Sequence, residues 1–213
     1  MVKLSQTSKL GCKSWSLEAG TTCPGSKDAF GDWVAACNGC YARAGNYRFP
    51  SVKAVREVNR LSWSLVGWID GMVEALANER FFRWFDSGDM YHIGLAENIL
   101  QVMEATPWCQ HWLPTRMHKF AKFHDVLARM EALPNVRVRR SSDSVRGEFG
   151  AEHGSTILGH GPLQQGQFRC RSESQGGQCL DCRKCWSKDS DVIVYTAHGK
   201  KVEKVMLKLI GFK

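Results

Sequence analysis

Residues 81–90 read FFRWFDSGDM, an aromatic run that stops abruptly at a polar sequence. Aromatic side chains favour β-strands, so the pattern predicts a strand over residues 81–85. Asp-Ser-Gly-Asp at 86–89 then predicts a turn, because glycine and aspartate are common turn residues. A strand that ends in a polar turn is the unit from which we interpret the rest of the chain.

The same unit recurs downstream, with helices between the strands. Ile93–Ala105 and Phe120–Leu133 carry apolar residues at helical spacing, whereas His111–Thr115 and Val136–Arg140 have strand character. This alternation predicts parallel βαβ units. A doubly wound sheet and a (β/α) barrel both fit, but no GxGxxG motif supports a dinucleotide-binding fold. We expect an α/β protein with a small (β/α) TIM-like barrel, incomplete because a full barrel needs about 250 residues.

The flanking regions complete a single expected domain over residues 1–213. Residues 1–50 have little periodicity and predict a cysteine-rich wrap with at most short helices. Ser51 to Glu79 predicts a helix, broken near Gly71. Short strands are predicted at Thr156–Leu158 and Asp191–Tyr195.

Polar residues follow the predicted strand ends, where the loops of a (β/α) barrel form active sites. The ordinary tendency of strands to end in polar residues explains them almost as well. On the barrel reading, one cavity would gather Asp86, Asp89, Arg116, His118, Arg140, Asp143 and His198. All but His198 are our candidate catalytic residues. Arg137 and Arg139 alternate with valines, which predicts one solvent-exposed face of that strand.

Nine cysteines form two groups of four, with Cys109 alone. The odd total and the lack of an export signal favour a reducing cytoplasm, where clustered cysteines bind metal or do redox chemistry. Cys109 is expected to be a buried thiol without a role. The groups are Cys12, Cys23, Cys37 and Cys40, and Cys170, Cys179, Cys182 and Cys185.

The C-terminal group has the C-x2-C-x2-C spacing of iron–sulfur proteins, with Cys170 as the fourth ligand. A zinc ribbon would instead need two separated CxxC pairs. The spacing of the N-terminal group is less regular, so a zinc site remains an alternative to an iron–sulfur cluster there. Cys23, Cys37 and Cys40 could hold a cluster with one free iron corner, or Cys12 could close that corner. We expect two iron–sulfur clusters, 4Fe-4S or 3Fe-4S.

Six motifs resemble the "gene product 88" family of bacteriophage proteins. They are TTCPGS (21–26), ACNGCYARAGNY (36–47), FRWFDSGDM (82–90), RMHKF (116–120), VRRSSDS (138–144) and QCLDCRKCW (178–186). The resemblance implies a phage iron–sulfur protein on a barrel similar to radical S-adenosylmethionine (SAM) enzymes, without a settled reaction. Ser87, Gly88 and Asp89 are placed like the motif that binds the amino group of SAM in such barrels. The CxxxCxxC motif of those enzymes is absent, so Cys23, Cys37 and Cys40 would stand in for it.

The net charge of +8 permits a nucleic-acid partner without identifying one. The leading interpretation is therefore an iron–sulfur protein with a small-molecule ligand or a redox partner. The alternatives are a zinc-stabilised nucleic-acid-binding protein and a substrate-free electron carrier. No apolar run is long enough to span a membrane, so we expect a protein of the host cytoplasm.

Overall fold

A computed structural model describes residues 2–150, 153–189, 192–197 and 200–209. The strands are β1 (Ser5–Thr7), β2 (Cys12–Trp15), β3 (Phe81–Trp84), β4 (Gln110–Thr115), β5 (Val136–Arg140), β6 (Ser155–Leu158), β7 (Gln167–Arg169) and β8 (Val192–Thr196). The α-helices are α1 (Ala35–Asn38), α2 (Pro50–Ser62), α3 (Trp68–Ala75), α4 (Ile93–Ala105), α5 (His124–Ala132) and α6 (Lys200–Leu209).

The strands form a five-stranded sheet in the order β1-β2-β3-β4-β5 and a three-stranded sheet in the order β6-β8-β7. The strands β2 to β5 run parallel, which confirms the predicted βαβ units, and β1 is antiparallel to β2. A single parallel bridge, Ser141 to Ser155, joins the two sheets. In the described residues the strands do not close into a barrel, so the structure is mixed α/β with an open arrangement of sheets.

The prediction for residues 1–50 missed two strands, and the predicted helix break lies at a different position. Residues 1–50 contain two strands as well as short helices, because β2 pairs with β3 although it is too short to show alternation. The helix predicted from Ser51 is broken into α2 and α3, as the predicted break near Gly71 implies. The break lies over residues 63–67, where Gly67 has φ +79°, and Gly71 lies inside α3.

The two faces of the large sheet bury different residues. The register places Trp15, Phe82 and Trp84 on one face, where they pack with α3 and α4 in the main apolar core. Opposite them, Ser14, Arg83 and Trp112 lie in register on the other face. We call this second side the inner face, because the C-terminal cysteine segment packs against it.

Helix α4 shows why a layer of helices covers the face of the sheet that carries Trp15, Phe82 and Trp84. Its apolar residues recur at helical spacing, so Leu95, Ile99 and Val102 are fully buried against the sheet. Full burial of such side chains contributes about 1.5–3 kcal/mol each. The helices cover the face of the sheet but not the carboxyl ends of β2 to β5. The loops at those ends contain the predicted site residues.

Candidate functional site

The turn after β3 packs tightly against the loop that leads to Cys23. Leu17 donates its backbone N–H to the Ser87 carbonyl at 3.0 Å, and the Asp89 N–H donates to Thr22 at 3.1 Å. Gly88 has φ +77°, and a Cβ there would lie 2.6 Å from the Leu17 Cβ. Glycine is therefore required at this position, both by its backbone angle and by the close approach.

Asp89 is buried and joins two turns. Its carboxylate accepts hydrogen bonds from the Thr115 hydroxyl, the Arg116 N–H and the Met90 N–H, each at 2.8 Å. Burial raises the pKa of this carboxyl, and the three donors oppose that shift. Asp89 thus fixes the turn after β4 relative to the turn after β3.

Asp143 holds two cations above the carboxyl ends of the strands. Its carboxylate accepts from Lys119 Nζ at 2.6 Å and from Arg116 Nε at 3.3 Å. Its carbonyl accepts the Ala36 N–H at 2.9 Å, which fixes α1 and hence Cys37. The Arg116 turn also touches the first cysteine loop, since a Cβ at Gly25 would lie 2.6 Å from Arg116 Cβ.

Cys23, Cys37 and Cys40 gather at this edge of the sheet, and we call them the first cysteine site. Burial, the nearby Asp89 carboxylate and the neighbouring thiols of Cys37 and Cys40 together raise the pKa of Cys23 to about 12. Burial also raises the pKa of Cys37, whereas the Arg116 guanidinium lowers it. The Gly20 N–H points at the Cys23 sulfur at 3.5 Å. The site therefore combines three thiols with a cation and a backbone donor.

Cys12 lies away from these three residues. It begins β2, whereas the first cysteine site lies beyond the end of that strand, and three residue steps along a strand span about 10 Å. Cys12 instead packs in a small apolar cluster with Cys179, Trp112 and Trp186. Burial raises the pKa of Cys12 to about 11, with Arg83 as the largest opposing influence.

The C-terminal cysteines form the second cysteine site. One common cavity is lined by Cys170, Cys179, Cys182 and Cys185. The segment is tied to the sheet by Trp186, whose Nε1 donates to the Phe82 carbonyl at 2.9 Å. The four thiols that the x2-x2 spacing groups in sequence are thus also grouped in space.

Arg139 anchors this segment and was not identified from sequence. It is fully buried, which corrects the expectation of an exposed face for Arg137 and Arg139. Its guanidinium donates to the carbonyls of Lys184, Cys185 and Ser187 at 2.7, 3.1 and 3.2 Å, and to His153 at 2.9 Å. The acceptors come from loops distant in sequence, so strand periodicity alone could not reveal them.

The other residues that were predicted to share one cavity have different partners. Asp86 contacts Ser16 and Tyr47 and lies 3.8 Å from Arg56. Arg140 forms a two-pronged ion pair with Glu131 of α5, at 2.9 and 2.7 Å.

His118 is half-buried and its ring lies 3.2 Å from the Thr115 carbonyl. Burial lowers the pKa of His118. His198 lies outside the described residues, and Cys109 is fully buried in the main core. Of the residues that were predicted to share one cavity, the structure brings together Asp89, Arg116 and Asp143. The catalytic roles of the candidate residues stay predictions.

Within the described ranges, no three side chains of His, Cys, Asp or Glu have the geometry to hold a metal ion. Two groups of cysteines nevertheless offer sulfur donors. Thiolate donors of this kind suit iron–sulfur clusters, and zinc as well.

The sequence profile of the Gene product 88 family matches residues 2–188. The chain belongs to this phage protein family. The Gene product 88 match contains both cysteine sites and the turn after β3, and it ends before β8 and α6. No curated protein and no solved structure matches the chain. No helix in the described part of this Gene product 88 chain is long and apolar enough to cross a membrane.

Proposed function

We propose that this Gene product 88 protein is an iron–sulfur protein with two separate clusters on an open α/β arrangement of two sheets. The first cluster would bind a small-molecule ligand. The observation that carries the proposal is the placement of Cys12 away from Cys23, Cys37 and Cys40. Three thiols fill three corners of a four-iron cluster and leave one iron open. An open coordination position distinguishes catalytic from structural sites, as it does for zinc.

The position of the first cysteine site supports a ligand-binding role. It lies beyond the carboxyl ends of parallel strands, where α/β proteins bind their ligands. A ligand that chelates iron through amino and carboxylate groups, such as SAM, would suit one open corner. The chemistry that a cluster held by Cys23, Cys37 and Cys40 would supply is one-electron reduction of the ligand.

The residues around the site would bind and orient rather than react. Arg116 offsets the negative charge of the thiolates, and its guanidinium is held by Asp143 at 3.3 Å and by the Ser142 carbonyl at 2.7 Å. Asp89 positions the backbone of Arg116. Lys119 joins the first cysteine loop to the site, since its ammonium donates to the Gly25 carbonyl at 3.1 Å.

The second cysteine site would hold its cluster through Cys170, Cys179, Cys182 and Cys185. Four protein ligands complete such a cluster, which then stabilises the fold or carries electrons. The two sites therefore have different proposed roles, one open and one closed.

Iron and acid-labile sulfide counts after anaerobic reconstitution test the two-cluster proposal. We expect Cys40→Ser and Cys182→Ser each to lose about one cluster's share of iron, whereas Cys109→Ser keeps all of it. A colourless protein that binds zinc and no sulfide would refute the iron–sulfur proposal and favour the zinc alternative.

EPR spectroscopy of the reduced protein, with and without SAM, tests the open corner. A SAM-induced change is expected in the wild type and in Cys12→Ser, and should disappear in Cys40→Ser. If SAM does not change the EPR spectrum of the reduced wild-type protein, SAM is refuted as the ligand and the substrate-free electron carrier is favoured.

Nucleic acid is the alternative partner, supported by the net charge of +8. Binding that depends on phosphate contacts falls steeply with salt, because counterions are released on association. A titration with single-stranded oligonucleotides at low and high salt tests this alternative, and no binding at low salt would exclude it.

A further inference from the structure

Helix α2 carries polar side chains on the face that it buries and apolar side chains on the face that it exposes. Arg56, Asn59 and Ser62 are buried, whereas Val58 and Leu61 are 41% and 58% exposed. A helix on the surface of a globular protein normally shows the opposite arrangement. The exposed apolar face therefore needs an explanation outside the fold of a single chain.

Hydrogen bonds on the buried face fix this orientation of α2. Asn59 Nδ2 donates to the carbonyls of Lys3 and Ser16 at 3.0 and 3.1 Å. Arg56 Nε donates to the Ser87 hydroxyl. Rotation of the helix would break these bonds and leave buried acceptors without a donor, so α2 does not bury its apolar face against its own chain.

The exposed apolar residues of α2 form a stripe. Ala54, Val58 and Leu61 are exposed and lie on one side of the helix, because residues three and four apart share a side. Leu65, in the turn that follows α2, is 60% exposed. The successive spacings of four, three and four residues read the same in both directions. An antiparallel copy of the stripe therefore places Val58 against Leu61, and Ala54 towards the turn that carries Leu65.

Two charged side chains beside the stripe favour a second copy of this chain as the partner. Arg60 Nη2 lies 2.6 Å from Glu57 Oε1, and both side chains are largely exposed. At 3.6 residues per turn, the two residues lie on the same flank of the stripe. In a two-fold pair, residue i contacts residue j and j contacts i. An axis between Val58 and Leu61 thus brings Glu57 of each copy beside Arg60 of the other, so the charges match twice.

We propose that α2 is the surface through which two copies of this chain associate, as an antiparallel helix pair with two-fold symmetry. Apolar burial along the stripe drives the association, and the Glu57 and Arg60 pairs set its direction. The contact is small for a protein interface, so we expect a micromolar dissociation constant. The proposal goes beyond the proposed function and does not depend on either cluster.

Sedimentation equilibrium of the full chain, from about 1 to about 100 µM, tests the contact. The wild type should change from monomer to dimer over this range, and Leu61→Gln should associate at least about tenfold more weakly. Leu207→Gln is the matched control, because Leu207 is an exposed leucine of another helix, α6. It should associate like the wild type. A monomeric wild type, or a Leu61→Gln variant that associates as the wild type does, would overturn the proposal.

Charge reversal tests the antiparallel arrangement. Glu57→Arg and Arg60→Glu each break the ion pair within the helix and place like charges across the contact, so each variant alone should associate about tenfold more weakly. An equimolar mixture of the two variants places opposite charges across the contact again and should restore the dimer. Because the pair within the helix stays broken in the mixture, the recovery reports only on the contact between copies. A mixture that associates no better than the separate variants would overturn the antiparallel pairing.

Vesicles of phosphatidylglycerol and phosphatidylethanolamine test the other class of partner. An apolar helix face beside basic side chains can also lie on a membrane surface. A wild type that stays monomeric and cosediments with these vesicles, with binding lost in Leu61→Gln, would overturn the second copy as the partner and assign the face to a membrane.

Discussion

Replacing Arg139 by methionine should detach the second cysteine segment from the sheet. The guanidinium is fully buried, and at least four of its hydrogen bonds to carbonyls are 3.2 Å or shorter. A hydrogen bond from a charged donor contributes about 1.5–3 kcal/mol. Arg139→Met leaves these carbonyls without their donor, and each buried acceptor that water does not reach costs about 1–3 kcal/mol. We therefore expect a loss of about 3–5 kcal/mol in the free energy of unfolding.

Arg140→Met is the matched control, because the neighbouring arginine lies in a different environment. Its ion pair with Glu131 leaves the two side chains 30% and 29% exposed, and pairs of this kind contribute at most about 1 kcal/mol. Urea denaturation of the metal-free protein measures both variants. Limited digestion with trypsin reports on the segment directly, since residues 183–188 offer three cleavage sites.

Faster cleavage there is expected in Arg139→Met alone. A loss below about 1 kcal/mol in Arg139→Met, or equal effects of the two variants, would refute the reasoning.

Two further predictions concern the first cysteine site and the core. Gly88→Ala should destabilise the protein by about 1–3 kcal/mol more than Gly11→Ala in urea denaturation, because both glycines have positive φ but only Gly88 faces a close neighbour. Equal losses in the two variants would contradict the steric argument. Burial lowers the pKa of His111 to about 3, below its ordinary 6.5, so its contribution to stability is complete above pH 6.5 and declines as the pH falls. Wild-type stability should decrease by about 2 kcal/mol more than that of His111→Gln between pH 7 and pH 5, and parallel pH profiles would contradict it.

The sequence predicted much of the α/β framework. The apolar spacing of Ile93–Ala105 and the valines of Val136–Arg140 gave those elements their observed bounds. Each of these segments buries apolar side chains at a regular spacing, so the periodicity can be recognised from the segment's own sequence. Strand β2 was missed because its four residues are defined by pairing with β3 rather than by their own pattern.

The site was predictable only in part. The polar turn at 86–89 identified the loop that packs on the first cysteine site, since a strand end needs turn residues there. The predicted convergence of Asp86 and Arg140 on one cavity depended on side-chain direction, which the sequence does not carry. The structure gives these two residues partners of their own.

The sequence by itself determined the alternation of strands and helices, the family, and the grouping of the C-terminal cysteines, because each is a matter of local pattern or spacing. Only the tertiary structure decided that Cys12 lies beside Cys179 and apart from Cys23, although Cys12 is nearer to Cys23 in sequence. Strand pairing carries Cys12 to the inner face, at the far end of β2 from the first cysteine site. The burial of Arg139 was decided in the same way, because the distant segment whose carbonyls it binds, rather than the residues beside it in sequence, covers it.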